Sequence, residues 1–182
     1  ALGASKAGAF DLSAGCSGFV YALSVAADGI IAGAYDTALV IGAETLSRIL
    51  NWADRATCVL FGDGAGAVVL KASAEPCGVL ATVLGADGSG ADLLTLPGSG
   101  FKEPVTREAR AAQLPQVQMN GNEIYRFATR TMSAVAQQVL RKAGMTLEQV
   151  DLLIPHQANL RIIQSVTKQL KLPEDKVFVN LD

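Results

Sequence analysis

Apolar positions in this chain change their spacing several times, and each change marks a predicted element. Ala9 to Leu12 reads as a short buried strand. From Ser17 to Ala32, Val20, Leu23, Ala27, Ile30 and Ile31 recur at helical spacing, and Gly33 with Asp36 closes that run. Thr37 to Ala43, TALVIGA, is apolar without interruption, so it predicts a strand covered on both faces. Leu46 to Arg55 is irregular. Cys58 to Gly62 and Ala65 to Leu70 are apolar again, and the GDG between them predicts a sharp turn with backbone angles that few other residues adopt.

Val79 to Leu84 is a further strand candidate. Residues 85 to 114 are rich in Gly, Pro and charge and read as a long surface excursion or lobe boundary. Asn122 to Lys142 then predicts a long amphipathic helix, with Ile124, Phe127, Ala128, Val135 and Val139 on one side. Gly144 ends it, and Thr146 can cap the next turn. A short strand at Leu152 to Pro155, a helix at Asn159 to Leu170 and a strand beginning at Val177 to Val179 complete the pattern. AFDLSAGCSGFVYA and DLLIPHQANLRIIQ share one order, strand, polar junction, amphipathic helix, which fits two similar halves.

Composition narrows the class. Half of the 182 residues are hydrophobic and 18% are charged, with 18 glycines, as in an α/β protein with a large core. A net charge of -2 gives no footprint for general nucleic-acid binding. No apolar run is long enough to span a bilayer, and the first residues lack the layout of a secretion signal. Three cysteines without a CxxC pair, and a single His, point to no metal site and no disulfide, as in a reducing cytoplasm.

Two side chains stand out chemically. Cys16 lies at the predicted entry to the first helix, where unpaired N–H groups and the helix dipole favour a thiolate. Gly15 and Gly18 beside it permit a tight bend and close substrate approach. The bland alternative is a small buried hydrophobe. His156 follows Pro155 at the end of a predicted strand, where open α/β sheets place their sites, with Gln157 and Asn159 as amide neighbours. A satisfied polar histidine is its alternative role. FGDGAGAVVL has GxGxG spacing and no following Lys-Ser or Lys-Thr, so it is read as a structural turn and not a phosphate cradle. Arg161 and Lys168 share a helix face that suits an acidic partner, or plain solvent.

GCSGFVYAL around Cys16, DRATCVLFGDGAGAVVL at 54 to 70, GNEIYRFA at 121 to 128 and IPHQANLRII at 154 to 163 resemble the thiolase superfamily. Within it they are most similar to the 3-oxoacyl-(acyl-carrier-protein) synthase III family. The resemblance implies a thiolase-like α/β fold of two similar halves with helices layered on mixed sheets. Residues 1–100 would be the remainder of the first half, and 101–182 the connecting segment and the start of the second.

It also implies an acyltransferase without a cofactor. Cys16 would take an acyl group from acyl-CoA, and His156 would serve decarboxylative condensation with malonyl-acyl carrier protein, initiating fatty-acid synthesis. Arg55 matches a coenzyme A contact, Asn122 and Asn159 line the pantetheine tunnel, and Leu46 and Phe61 wall the acyl pocket. Gln157, Ala158, Asn159, Leu160 and Arg161 form the carrier-protein segment. A cytoplasmic homodimer is implied, with no membrane or nucleic-acid partner.

Family members extend past both ends and carry a catalytic Asn beyond Asp182, for which Asn180 is in the wrong context. The chain is therefore expected to be an interior portion, inactive by itself. The rival readings are a condensing enzyme of another pathway, a Cys-His hydrolase that uses water as acceptor, and an inactive homologue acting as a partner subunit.

Overall fold

The computed structural model describes residues 2–75, 77–98 and 116–181. The residues bracketing the expected 100/101 division, and most of the expected surface excursion, lie outside these. The chain forms two compact units, Ala1–Gly42 with Ala65–Val79, and Ala43–Gly64 with Leu80–Asp182.

In the first unit, helix α1 spans Gly18–Ile31, as its periodicity predicts. Gly33 follows it with a φ of 70°, a left-handed conformation that glycine adopts without a Cβ clash. The chain then returns along the helix, and the Tyr35 hydroxyl donates to the Val25 carbonyl. That path requires a glycine at 29, because a Cβ there would collide with the Tyr35 ring and hydroxyl.

Strands β1 (Thr37–Thr45) and β2 (Asp63–Lys71) pair in a two-stranded sheet. The apolar run of β1 predicts burial on both faces. Val40 is indeed 4% exposed, but Leu39, Ile41, Val68 and Val69 all face solvent. With one neighbour each among the described residues, the two strands lack the surroundings that would bury them. The GDG segment also departs from expectation. Gly62 and Gly64 are not among the glycines with positive φ, and Asp63 opens β2 instead of forming a sharp turn. Pairing with β1 holds this stretch extended.

No strand forms at 9–12 or 79–84. Extended backbone becomes a strand only when a neighbour accepts its hydrogen bonds, and neither segment finds one among the described residues. Phe10 is accordingly 74% exposed.

The second unit is built on helices α2 (Gly121–Ala143) and α3 (Leu160–Leu170). The Asn120 side chain caps α2 by accepting from the Glu123 N–H, and Gly144 ends the helix with a φ of 66°. Ile162, Val166 and Leu170 repeat every four residues along α3 and bury one stripe with Leu172. Ala128, Met132 and Ala136 of α2 pack against it, together with Leu147, Leu153 and Val177. Val166, at 2% exposure, is the centre of this core. The buried hydroxyls of Ser133 and Thr167 donate to carbonyls one turn back, so they carry no unmet hydrogen bond.

A short antiparallel pair, β3 (Leu94–Thr95) with β4 (Gln118–Met119), leads into α2. The predicted strands at 152–155 and 177–179 do meet, but as a single parallel bridge between Leu153 and Val177. Pro155 has no N–H to continue the ladder, which confines the pairing to one bridge.

Candidate active site

Cys16 occupies a single 3-10 turn, Gly15–Ser17, immediately before α1, and is exposed. Gly15 has a φ of 53°, so the tight bend that delivers the thiol depends on a residue without a Cβ. Gly18 approaches the Leu12 carbonyl closely enough that an added Cβ would sit 4.0 Å from it. Cys58, half-buried, and Cys77, exposed, are also free thiols, and neither precedes a long helix.

His156 belongs to the second unit, between Pro155 and the start of α3. The residue as a whole is exposed, yet protein around the ring withholds enough water to push its pKa below the ordinary 6.5. Burial is the only cause of that shift, and it keeps the imidazole neutral at pH 7. A neutral ring offers one N–H donor, as required at an oxygen that gains negative charge.

The segment bearing His156 is braced from beneath. Gln157 donates from Nε2 to the carbonyls of Pro155 at 2.9 Å and Phe178 at 3.1 Å, and its Oε1 accepts from the Asn180 N–H at 3.0 Å. Expected as part of a partner-binding segment, Gln157 thus has its amide committed to the chain's own backbone. Asn159 caps α3, its Oδ1 accepting from the Arg161 N–H at 2.8 Å. Its Nδ2 group has no partner among the described residues. Arg161 and Lys168 are exposed on α3, whose buried stripe lies at 162, 166 and 170.

Leu46, Phe61, Arg55 and Asn122 lie in the same unit as His156. Leu46 and Phe61 are half-buried, whereas Arg55 and Asn122 are exposed. Leu46 starts a 3-10 turn ending at Ile49, whose carbonyl accepts from the Val117 N–H, linking this stretch to the approach to α2. The next residue of that turn, Ser47, donates its N–H and hydroxyl to the two carboxylate oxygens of Asp63, at 2.8 and 2.6 Å. These bonds, with Arg48 nearby, hold the Asp63 carboxyl below its usual 3.8.

Sequence reasoning missed the Ser47–Asp63 clamp and the Gln157 brace. Both join residues 16 or more positions apart through polar side chains, for which no periodicity exists. The Asn120 cap had a legible signal, an Asn three residues before a Glu, but the neighbouring Asn122 drew the helix start to itself.

Among the described residues, no cluster of His, Cys, Asp and Glu could hold a metal ion, and no helix is long and apolar enough to cross a membrane.

Comparison with known proteins identifies the family and the fold. Family models for 3-oxoacyl-(acyl-carrier-protein) synthase III and for its C-terminal part match residues 10–88 and 140–182. Beta-ketoacyl-(acyl-carrier-protein) synthase III of Caldanaerobacter subterraneus is 50% identical over 181 residues, and that of Desulfitobacterium hafniense 52%. Each alignment takes in the whole chain and 55% of the relative, so the chain spans about half the length of these relatives. The crystal structure of the Aquifex aeolicus synthase III superposes with a TM-score of 0.86 at 45% identity, over 98% of this chain and 53% of that one. The priming beta-ketosynthase of the R1128 polyketide pathway gives 0.83 at 38%, over 99% and 52%. The fold is the thiolase-like α/β fold.

Proposed function

The chain belongs to the 3-oxoacyl-(acyl-carrier-protein) synthase III family, and from that premise we propose that it carries the nucleophile and the decarboxylation histidine of an initiating condensing enzyme. Cys16 thiolate attacks the carbonyl of an acyl-CoA, a new thioester forms at Sγ, and coenzyme A leaves as its thiol. Malonyl-acyl carrier protein then loses carbon dioxide. The resulting enolate oxygen accepts a hydrogen bond from neutral His156, and the carbanion displaces Cys16 from the acyl group. Arg55 meets the coenzyme A nucleotide, Asn122 and Asn159 border the pantetheine arm, and Leu46 and Phe61 bound the acyl chain. The thioesters are substrates, and no resident cofactor takes part.

The observation that carries this reading is the exposed Cys16 on a glycine-dependent turn opening α1, within a segment the family model covers. In the same proposal the acidic carrier protein docks on Leu160, Arg161 and their neighbours in 157–161, and the enzyme works as a cytoplasmic homodimer. Residues 1–100 and 101–182 contribute to its two halves. The likeness to the priming ketosynthase favours a second reading, the same chemistry in a polyketide pathway, which a preference for primers other than acetyl-CoA would reveal.

The test is labelling with radioactive acyl-CoA in the protein that contains this sequence. Cys16→Ser abolishes acyl-enzyme, whereas Cys58→Ser and Cys77→Ser label as wild type. Label on Cys58 or Cys77 in place of Cys16 refutes the assignment.

A further inference from the structure

The 3-10 turn Leu46–Ile49 is anchored differently at its two ends. At its close, Leu50 is 6% exposed, and the Ile49 carbonyl accepts from the Val117 N–H at 2.9 Å. At its start, Thr45 stands in the N-cap position, yet its side chain makes no capping bond. The first N–H groups of a helical turn have no partner within it, and a cap side chain is what usually supplies one.

Here the cap comes from the first residue of β2. The Asp63 carboxylate takes the Ser47 N–H on one oxygen and the Ser47 hydroxyl on the other. Two bonds to one charged group fix a direction as well as a distance, and they draw the chain at 63 alongside the chain at 47. Asp63 is exposed, and bonds open to water contribute little to the stability of a whole fold. Holding two segments in register is the effect left to them.

The neighbours of the clamp give that register a use. Leu46 is one residue before Ser47, Phe61 is two before Asp63, and both are half-buried. Each residue read above as bounding the acyl chain is thus tied to one side of the clamp. We infer that Asp63 is a positioning residue for primer selection: through Ser47 it sets how far apart Leu46 and Phe61 stand, and so the length of acyl group that the enzyme accepts. The inference rests on the acyl-chain reading of Leu46 and Phe61 given above.

The experiment measures kcat/KM for acetyl-, butyryl- and hexanoyl-CoA in the whole enzyme that contains this sequence, per active site titrated by acylation. In Asp63→Ala the hexanoyl-to-acetyl ratio should rise roughly tenfold, about what one methylene of fit discriminates in an apolar pocket. Ser47→Ala keeps the N–H bond and should give a smaller rise. Asp63→Asn can accept the N–H on Oδ1 and donate Nδ2 to the hydroxyl oxygen, so it should keep the wild-type profile. Leu46→Ala, which enlarges the pocket directly, should shift the profile as Asp63→Ala does.

If Leu46→Ala shifts the profile while Asp63→Ala and Ser47→Ala lower all three rates by one factor, the clamp is merely structural and the inference is overturned. A shift in Asp63→Asn as large as in Asp63→Ala assigns the effect to lost charge instead of position, and overturns it too. If Leu46→Ala and Phe61→Ala also leave the profile unmoved, the acyl-chain reading fails, and the inference fails with it. Should Asp63→Ala yield no active sites, Ser47→Ala, which retains one bond, decides between these outcomes.

Discussion

Replacing Gln157 with Ala removes three hydrogen bonds, one within the His156 segment to Pro155 and two that tie that segment to Phe178 and Asn180. A net hydrogen bond contributes about 1 kcal/mol, and less where water can substitute. One of the three is partly buried and two are exposed. The sum expected is therefore about 1–2 kcal/mol of local stability. Because the chain forms two units, a global melting curve is a poor gauge, and local opening is the better observable.

The Asn180 amide, which donates to Gln157, should exchange with solvent roughly five- to thirtyfold faster, since each 1.4 kcal/mol is about a factor of ten. The imidazole reports the same loosening. Its pKa lies below 6.5 because burial disfavours its charged form, so added water in Gln157→Ala raises it towards 6.5. As the sequence has one histidine, its proton resonances titrate without overlap.

The sign of the stability effect follows. The unfolded chain binds the proton more readily, so His156 favours the folded state above pH 6.5, and that contribution is lost as pH falls through the folded pKa. Gln157→Ala should shrink this dependence. Gln157→Glu keeps an acceptor for Asn180 but presents no donor to the two carbonyls, so it should not restore the wild-type state. Wild-type exchange at Asn180 together with an unmoved His156 titration in Gln157→Ala would refute the brace.

Two further outcomes can be measured directly. Gly29→Ala forces a methyl group into the Tyr35 ring and should cost about 1–3 kcal/mol in the first unit, read by exchange of α1 amides. Tyr35→Ala combined with it should recover part of that loss, and a neutral Gly29→Ala would mean that Tyr35 does not lie across the helix. Arg161→Glu in the whole enzyme should raise the KM for malonyl-acyl carrier protein several-fold at low salt, while acylation by small acyl-CoA stays near wild type. An unchanged KM would show that this face of α3 is merely solvated.

What could be read from the sequence divides along the range of the forces involved. The helices at 18–31, 121–143 and 160–170 were legible within a residue or two, because spacing, Gly33 and Gly144 act within a few positions. Strands at 9–12 and 79–84 were not, because a strand exists only through a partner that sequence spacing does not name. GDG misled for a similar reason. Glycine permits a turn but does not impose one; pairing with β1 holds Asp63 extended, and its carboxylate is bonded by Ser47, sixteen residues away. Cys16 and His156 stood out as chemistry at junctions before helices. The amides and caps that hold those junctions emerged only from the fold.

The exposed faces of β1 and β2 also bear on how the molecule behaves in quantity. Each strand has one neighbour among the described residues, and Leu39, Ile41, Val68 and Val69 are exposed on them. An open strand edge is a template for any extended segment that reaches it, and no proline interrupts either strand. Soluble yield should fall with concentration and with warming. A lysine placed on the outward side of β2, at Val69, would extend shelf life without touching Cys16 or His156.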